Sequence, residues 1–152
     1  MIKINVLSEE KSWTKKLKKK EIFFNNLCKL FPKKFQFVNK KIYLTLLLSN
    51  NKNIKKLNKK FRNKNKHTDI LSFPFKQKKK LKEDYLGDII ISYNYMNKPK
   101  NLNTYDFKEK VTKIFIHGFL HLLGFDHIKK KDYSKMFGEE EKIFKSVKKI
   151  IN

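Results

Sequence analysis

The chain has 152 residues, with 38 Lys and Arg against 14 Asp and Glu, and a formal net charge of +24. That length suits one domain with a core of its own, and the charge makes nucleic acid, above all RNA or a ribosomal surface, the natural partner class. One cysteine excludes an internal disulfide, no apolar run reaches membrane-spanning length, and the N-terminus lacks a secretory apolar region, so the chain reads as soluble and cytoplasmic, with no membrane partner.

Ile2, Ile4 and Val6 alternate with Lys3 and Asn5, which predicts a short half-buried strand. Ser12 is placed to cap a helix from about Trp13 to Phe31, with Trp13, Leu17, Phe24, Leu27, Cys28 and Phe31 on one face. The lysine run over 15–20 covers its outer surface, and Pro32 stops it. Cys28 lies among Leu27, Leu30 and Phe31, the setting of a buried small hydrophobe. Residues 42–48, rich in β-branched, aromatic and aliphatic side chains, form a second strand that ends at Ser49, Asn50 and Asn51. A helix follows from about Asn53 to Arg62, turning Ile54, Leu57 and Phe61 inward.

Residues 70–75 form a third strand, which Pro74 confines to an edge or a strand end. A charged connector over 76–84 leads to a fourth strand, 86–92, whose dense apolar content predicts burial on both faces. After a connection over 94–103, Thr104 caps a nearly buried helix to about Leu123, packed through Phe107, Val111, Ile114, Phe115, Phe119 and Leu122. A final amphipathic helix starts at Asp132 or Ser134 and turns Tyr133, Met136, Phe137, Ile143, Phe144, Val147 and Ile151 inward. Glu139, Glu140 and Glu141 on it read as surface carboxylates. The order of elements predicts an α+β fold: one domain over 1–152, one mixed sheet of about four strands packed with about four to five helices.

The chemistry concentrates in the stretch 117–127, His-Gly-Phe-Leu-His-Leu-Leu-Gly-Phe-Asp-His, which holds three of the four histidines and two of the four glycines. His117 and His121, four apart on a helix, project from one face. Gly124 can take positive φ, end the helix and let the chain bring His127 to the same point. Three neutral imidazoles without a fourth protein ligand describe an open metal site, most naturally zinc. The spacing also resembles the zinc motif of metzincin proteases, but Gly118 stands where they carry a glutamate base, so the peptidase machinery is missing. Asp126 is a turn residue, a fourth ligand or a partner for a ligating histidine; Asp88 is another such partner; Asp69 orients a loop or cap. His67 sits in a polar loop outside the metal site.

Arg62 is the only arginine among the 38 basic residues. Where lysine is used everywhere else, one guanidinium suggests planar, bidentate recognition of phosphate. The lysine excess itself has a second reading, since a chain rich in Asn, Ile and Phe and lacking alanine carries the mark of coding bias.

Three pieces in order resemble the YbeY-type ribosomal-RNA maturation endoribonucleases: Leu57 to Arg62 followed by His67 to Phe75, then Leu86 to Ile89, then His117 to His127. The resemblance implies a single-strand-specific endoribonuclease with one Zn2+ per chain on His117, His121 and His127, and with Arg62, His117 and His121 as the residues of catalysis. It further implies precursor small-subunit ribosomal RNA as substrate, matured at its 3′ end, and the small ribosomal subunit as partner. The alternative from another class is a non-catalytic, zinc-stabilised ribosome-assembly factor, whose metal site would be closed by Asp126 or Asp88.

Overall fold

In the computed structural model, which describes residues 1–76, 83–100 and 102–151, four strands form one sheet: β1 (Ile2–Ser8), β2 (Lys41–Ser49), β3 (Ile70–Pro74) and β4 (Glu83–Ser92). Their order is β1-β2-β4-β3. β1, β2 and β4 run parallel, with Ile4 opposite Leu44 and Leu46 opposite Ile89, and β3 joins antiparallel with Leu71 opposite Ile90. The fold is therefore α+β on a mixed sheet. Pro74 lies at the end of β3, on the outermost strand, where its missing N–H breaks no ladder. The charged connector expected over 76–84 falls largely outside the described residues.

The pleat sends alternate side chains to two unequal cores. Ile4, Leu44, Leu46, Leu48, Ile89 and Ile91 face the larger one, which the helices fill with Trp13, Phe24, Leu27, Phe107, Phe115 and Phe119. On the opposite face Ile90 and Leu71 meet Ile54 of α3 (Asn51–Arg62). β4 is thus buried on both faces over 89–92, as its sequence predicts, but Asp88 within the expected strand is exposed. Cys28 is buried in the larger core, and burial pushes its thiol pKa up.

The single helix expected from Trp13 to Phe31 is two: α1 (Ser12–Lys16) and α2 (Lys20–Lys29). A continuous helix would set Lys15, Lys16, Lys18, Lys19 and Lys20 in repelling i, i+3 and i, i+4 pairs. Leu17 instead takes an extended conformation and is buried. Trp13 Nε1 donates to the Ser49 carbonyl oxygen at 2.9 Å, which ties α1 to the end of β2. Ser12 does not cap; it lies inside α1 and its hydroxyl donates to Glu10 Oε1. One more helical turn, α4 (Tyr93–Met96), occupies the start of the connection expected over 94–103, so the described α-helices number six, beside two short 3-10 turns, where four to five helices were expected.

α5 (Thr104–Leu122) is capped by Asn103, whose Oδ1 accepts from the Asp106 N–H at 2.8 Å; Asn103 has the extended backbone a cap requires, and Thr104 is already helical. α6 starts at Lys130, ahead of the expected Asp132 or Ser134, and ends at Val147. Three aromatics expected inward are exposed: Phe61, Tyr133 and Phe137. Phe61 stands in the last turn of α3, past its buried Ile54 and Asn58 and edge-on to Phe73. Tyr133 and Phe137 flank the buried line of Met136, Ile143 and Val147.

α5 lies against the sheet where Gly118 faces β3 and β4. A Cβ there would stand 2.6 Å from Ile70 Cδ1, 3.0 Å from Ser72 Oγ and 3.2 Å from Ile89 Cγ2. The close neighbours that explain this glycine are sheet side chains, and the Ser72 hydroxyl also donates to the Gly118 carbonyl oxygen at 3.3 Å. Gly118→Val is expected to lower stability by about 1–3 kcal/mol through overpacking. The urea midpoint should fall with little change in slope; an unchanged midpoint would mean that α5 does not sit this close to the sheet.

Candidate metal centre

α5 ends in a Schellman turn. Gly124 takes φ +96°, its N–H bonds the His121 carbonyl oxygen at 3.0 Å, and the Phe125 N–H bonds the Leu120 carbonyl oxygen at 3.0 Å. The reversal carries the chain back to His127, whose own N–H donates to Asp126 Oδ1 at 2.7 Å. One nitrogen from each of His117, His121 and His127 then lies within 4.8 Å of the others, and these are the three histidines expected to converge.

Hydrogen bonds fix the tautomers of two rings. His121 Nδ1 lies 2.9 Å from the Phe125 carbonyl oxygen, which can only accept, so this nitrogen carries the proton. His117 Nδ1 lies 2.7 Å from Glu140 Oε1, so its proton points at a carboxylate. Both Nε2 atoms are then bare acceptors in the neutral rings, and they face one another at 3.1 Å. Two lone pairs at that distance repel unless a cation lies between them. Two nitrogens each 2.0–2.1 Å from a tetrahedral ion stand about 3.3 Å apart, so the donor set fits a zinc-like metal. Burial, and then the neighbouring His117, hold the His121 pKa below the ordinary histidine range, which favours the neutral, ligating form.

Glu140 was expected at the surface with Glu139 and Glu141, but it is half-buried and only Glu141 is exposed. Glu139 is buried and accepts from Lys34 Nζ at 2.6 Å. Glu140 orients a histidine of the cluster, a role assigned at the sequence level to Asp88 or Asp126. Asp88 is exposed on β4 and hydrogen-bonded by the Tyr85 hydroxyl, and Asp126 serves its own turn. Asp69 Oδ1 accepts from the Ile70 N–H, orienting the entry to β3, and His67 pairs with the Tyr95 hydroxyl away from the cluster.

Arg62 stands outside the histidine cluster, exposed at the C-terminus of α3. Its Nη2 donates to the Ser72 carbonyl oxygen at 2.9 Å, and its guanidinium lies 5.4 Å from the Phe73 ring centroid. Ser72 is also the residue that bonds Gly118, so one serine links the arginine to the helix that bears His117 and His121. Of the aromatics on β3 and α4, Tyr93 packs on Trp13 and Phe107, Tyr95 on His67, and Phe73 contacts both Phe61 and Arg62. Phe75 is exposed beside Tyr85.

The sequence profile described as Endoribonuclease YbeY matches residues 5–148 of the chain. A protein of Pelagibacter ubique (strain HTCC1062) named Endoribonuclease YbeY is 64% identical over 149 residues, 97% of each chain. One of the same name from Sulfurihydrogenibium sp. (strain YO3AOP1) is 34% identical over 143 residues, covering 93% of this chain and 91% of the relative. In fold, the chain is similar to the solution structure of TM1509 from Thermotoga maritima, with a TM-score of 0.51 and 23% identity over 95% of this chain and 90% of that one. With nearly its whole length matched by the profile and by close relatives, the chain belongs to the YbeY endoribonuclease family.

Proposed function

We propose that the chain is a zinc-dependent, single-strand-specific endoribonuclease that matures the 3′ end of small-subunit ribosomal RNA. It works in the cytoplasm, on or beside the small ribosomal subunit, with residues 1–152 acting as one domain. As a member of its family it is a hydrolase acting on RNA. The observation that supports metal dependence is the approach of two bare Nε2 atoms to 3.1 Å while both Nδ1 atoms are tied to oxygens. His117, His121 and His127 would hold one Zn2+ per chain. Among the described residues no carboxylate completes this set, which supports an open, catalytic site over the closed site of a purely structural zinc.

The chemistry such an ion supplies when bound is Lewis acidity at a phosphodiester oxygen. The rest falls to the chain. Glu140 holds His117, and the Phe125 carbonyl holds His121, in the orientation a ligand needs. Arg62 gives one N–H to Ser72 and keeps the others for a phosphate, where its planar fork offsets the charge that accumulates in the transition state. The lysines gather the RNA backbone through salt-sensitive contacts. Gly118, pressed on the sheet, has no room for the carboxylate a peptidase would carry there, which supports RNA over peptide as substrate.

The test is cleavage of a single-stranded segment from the 3′ end of precursor small-subunit RNA by zinc-loaded protein. His121→Ala should abolish cleavage and leave RNA binding nearly intact; equal cleavage by both proteins would sink the reading. Tight binding without cleavage by the wild type would favour the assembly factor. Arg62→Ala is expected to slow cleavage by roughly 10²–10³-fold, the scale seen when one transition-state donor is removed, and Arg62→Lys should restore only part of it. Glu140→Ala should weaken zinc affinity by about 10–100-fold, read by competition with a chromophoric chelator. Unchanged affinity would mean that Glu140 does not orient His117.

A further inference from the structure

We propose that Tyr133 and Phe137 form a stacking platform for an unpaired nucleobase beside the histidine cluster. This inference rests on the reading of the chain as a single-strand endoribonuclease and names the part of the site that would recognise single strands. The two residues lie one turn apart on α6, and their rings are parallel to within 5° with centroids 6.3 Å apart. They are 56% and 50% exposed on a helix that buries Met136, Ile143 and Val147 almost completely. Nothing in the packing of the fold calls for two large apolar rings in water at this point.

Their place supplies the reason. Tyr133, Phe137 and Met136 line a cavity of about 260 Å³ together with His117, His127 and Glu140. A neighbouring cavity of about 290 Å³ shares Phe137 and Glu140 and continues to Phe144, over whose ring the Lys113 ammonium lies at 4.8 Å. A groove floored by aromatic rings therefore runs away from the histidines. Lys130 is exposed one turn before Tyr133 on the same helix face, where a polyanionic backbone can meet it. Two carboxylates, Glu140 and the exposed Glu141, also line the groove; Glu140 is engaged by His117, which lessens its repulsion of a phosphate chain, and the stacked base itself carries no charge. Aromatic platforms accept any base by its π-face, but only a base free of its own duplex stack. The rings would hold a base flanking the phosphate at the metal cluster and so favour single strands without reading sequence.

The experiment uses the zinc-loaded full chain and short single-stranded oligoribonucleotides that carry 2-aminopurine at successive positions, with an abasic series in parallel. Wild type should quench the probe strongly at one position. The Tyr133→Ala/Phe137→Ala double variant should lose that quenching and bind roughly tenfold more weakly, within the range for loss of one stacked base. The ring exchange Tyr133→Phe/Phe137→Tyr should keep both properties. An abasic site at the quenched position should erase the difference between wild type and the double alanine variant. Equal binding and quenching by wild type and the double variant, with cleavage intact, would overturn the platform and leave the nuclease reading standing. Wild type that binds no RNA would overturn both. A change in sedimentation from dimer to monomer in the double variant, without an effect on RNA, would also overturn it, because the rings would then cover a second copy of the chain.

Discussion

With Gly124 in the left-handed region, the Phe125 N–H reaches back to the Leu120 carbonyl, and the Phe125 carbonyl is left to accept from His121. The turn that ends α5 therefore also fixes which nitrogen of its last histidine faces the cluster. The same reversal carries His127 round. A side chain at 124 would strain this backbone conformation whatever space surrounds it, and without the turn the three imidazoles would have no common point. The site is a by-product of how one helix stops.

What holds that helix is less local. α5 crosses the sheet with Phe107, Val111, Phe115 and Phe119 in the larger core, and Gly118 lets its last turns settle onto Ile70, Ser72 and Ile89. Ser72 then serves two groups at once, its carbonyl for Arg62 and its hydroxyl for the Gly118 carbonyl. Arg62 is positioned from the opposite layer, since α3 packs on the other face of the sheet. Two layers thus meet at the edge strand, one contributing the imidazoles and the other the guanidinium.

The strands and the histidine triad were legible because their signals are local: alternation at Ile2, Ile4 and Val6, short runs of β-branched, aromatic and aliphatic side chains in the later strands, and i, i+4 spacing closed by a glycine. The break at Leu17 was not, because apolar spacing from Trp13 to Phe31 fits an unbroken helix and the opposing term is lysine repulsion spread over several pairs. Helix caps slipped by a residue or two where Asn103 competes with Thr104. Glu139 was within reach, since Met136, position 139 and Ile143 share one buried line, and charge alone made it read as surface. Glu140 gave no local sign at all; its partner is 23 residues away in sequence. Tyr133 and Phe137 were assigned inward because hydrophobicity does not distinguish a ring that faces a core from one that faces a groove.

Cys28 carries a consequence of another kind. Its sulfur is the chain's only thiol, it is buried between α2 and the sheet, and its pKa is pushed up by that burial. Alkylating reagents attack the thiolate and need access to it, so in the native protein they must wait for α2 to lift away. The rate of labelling at Cys28 is then a clock for the opening of the main core. The protein carries a probe of its own breathing.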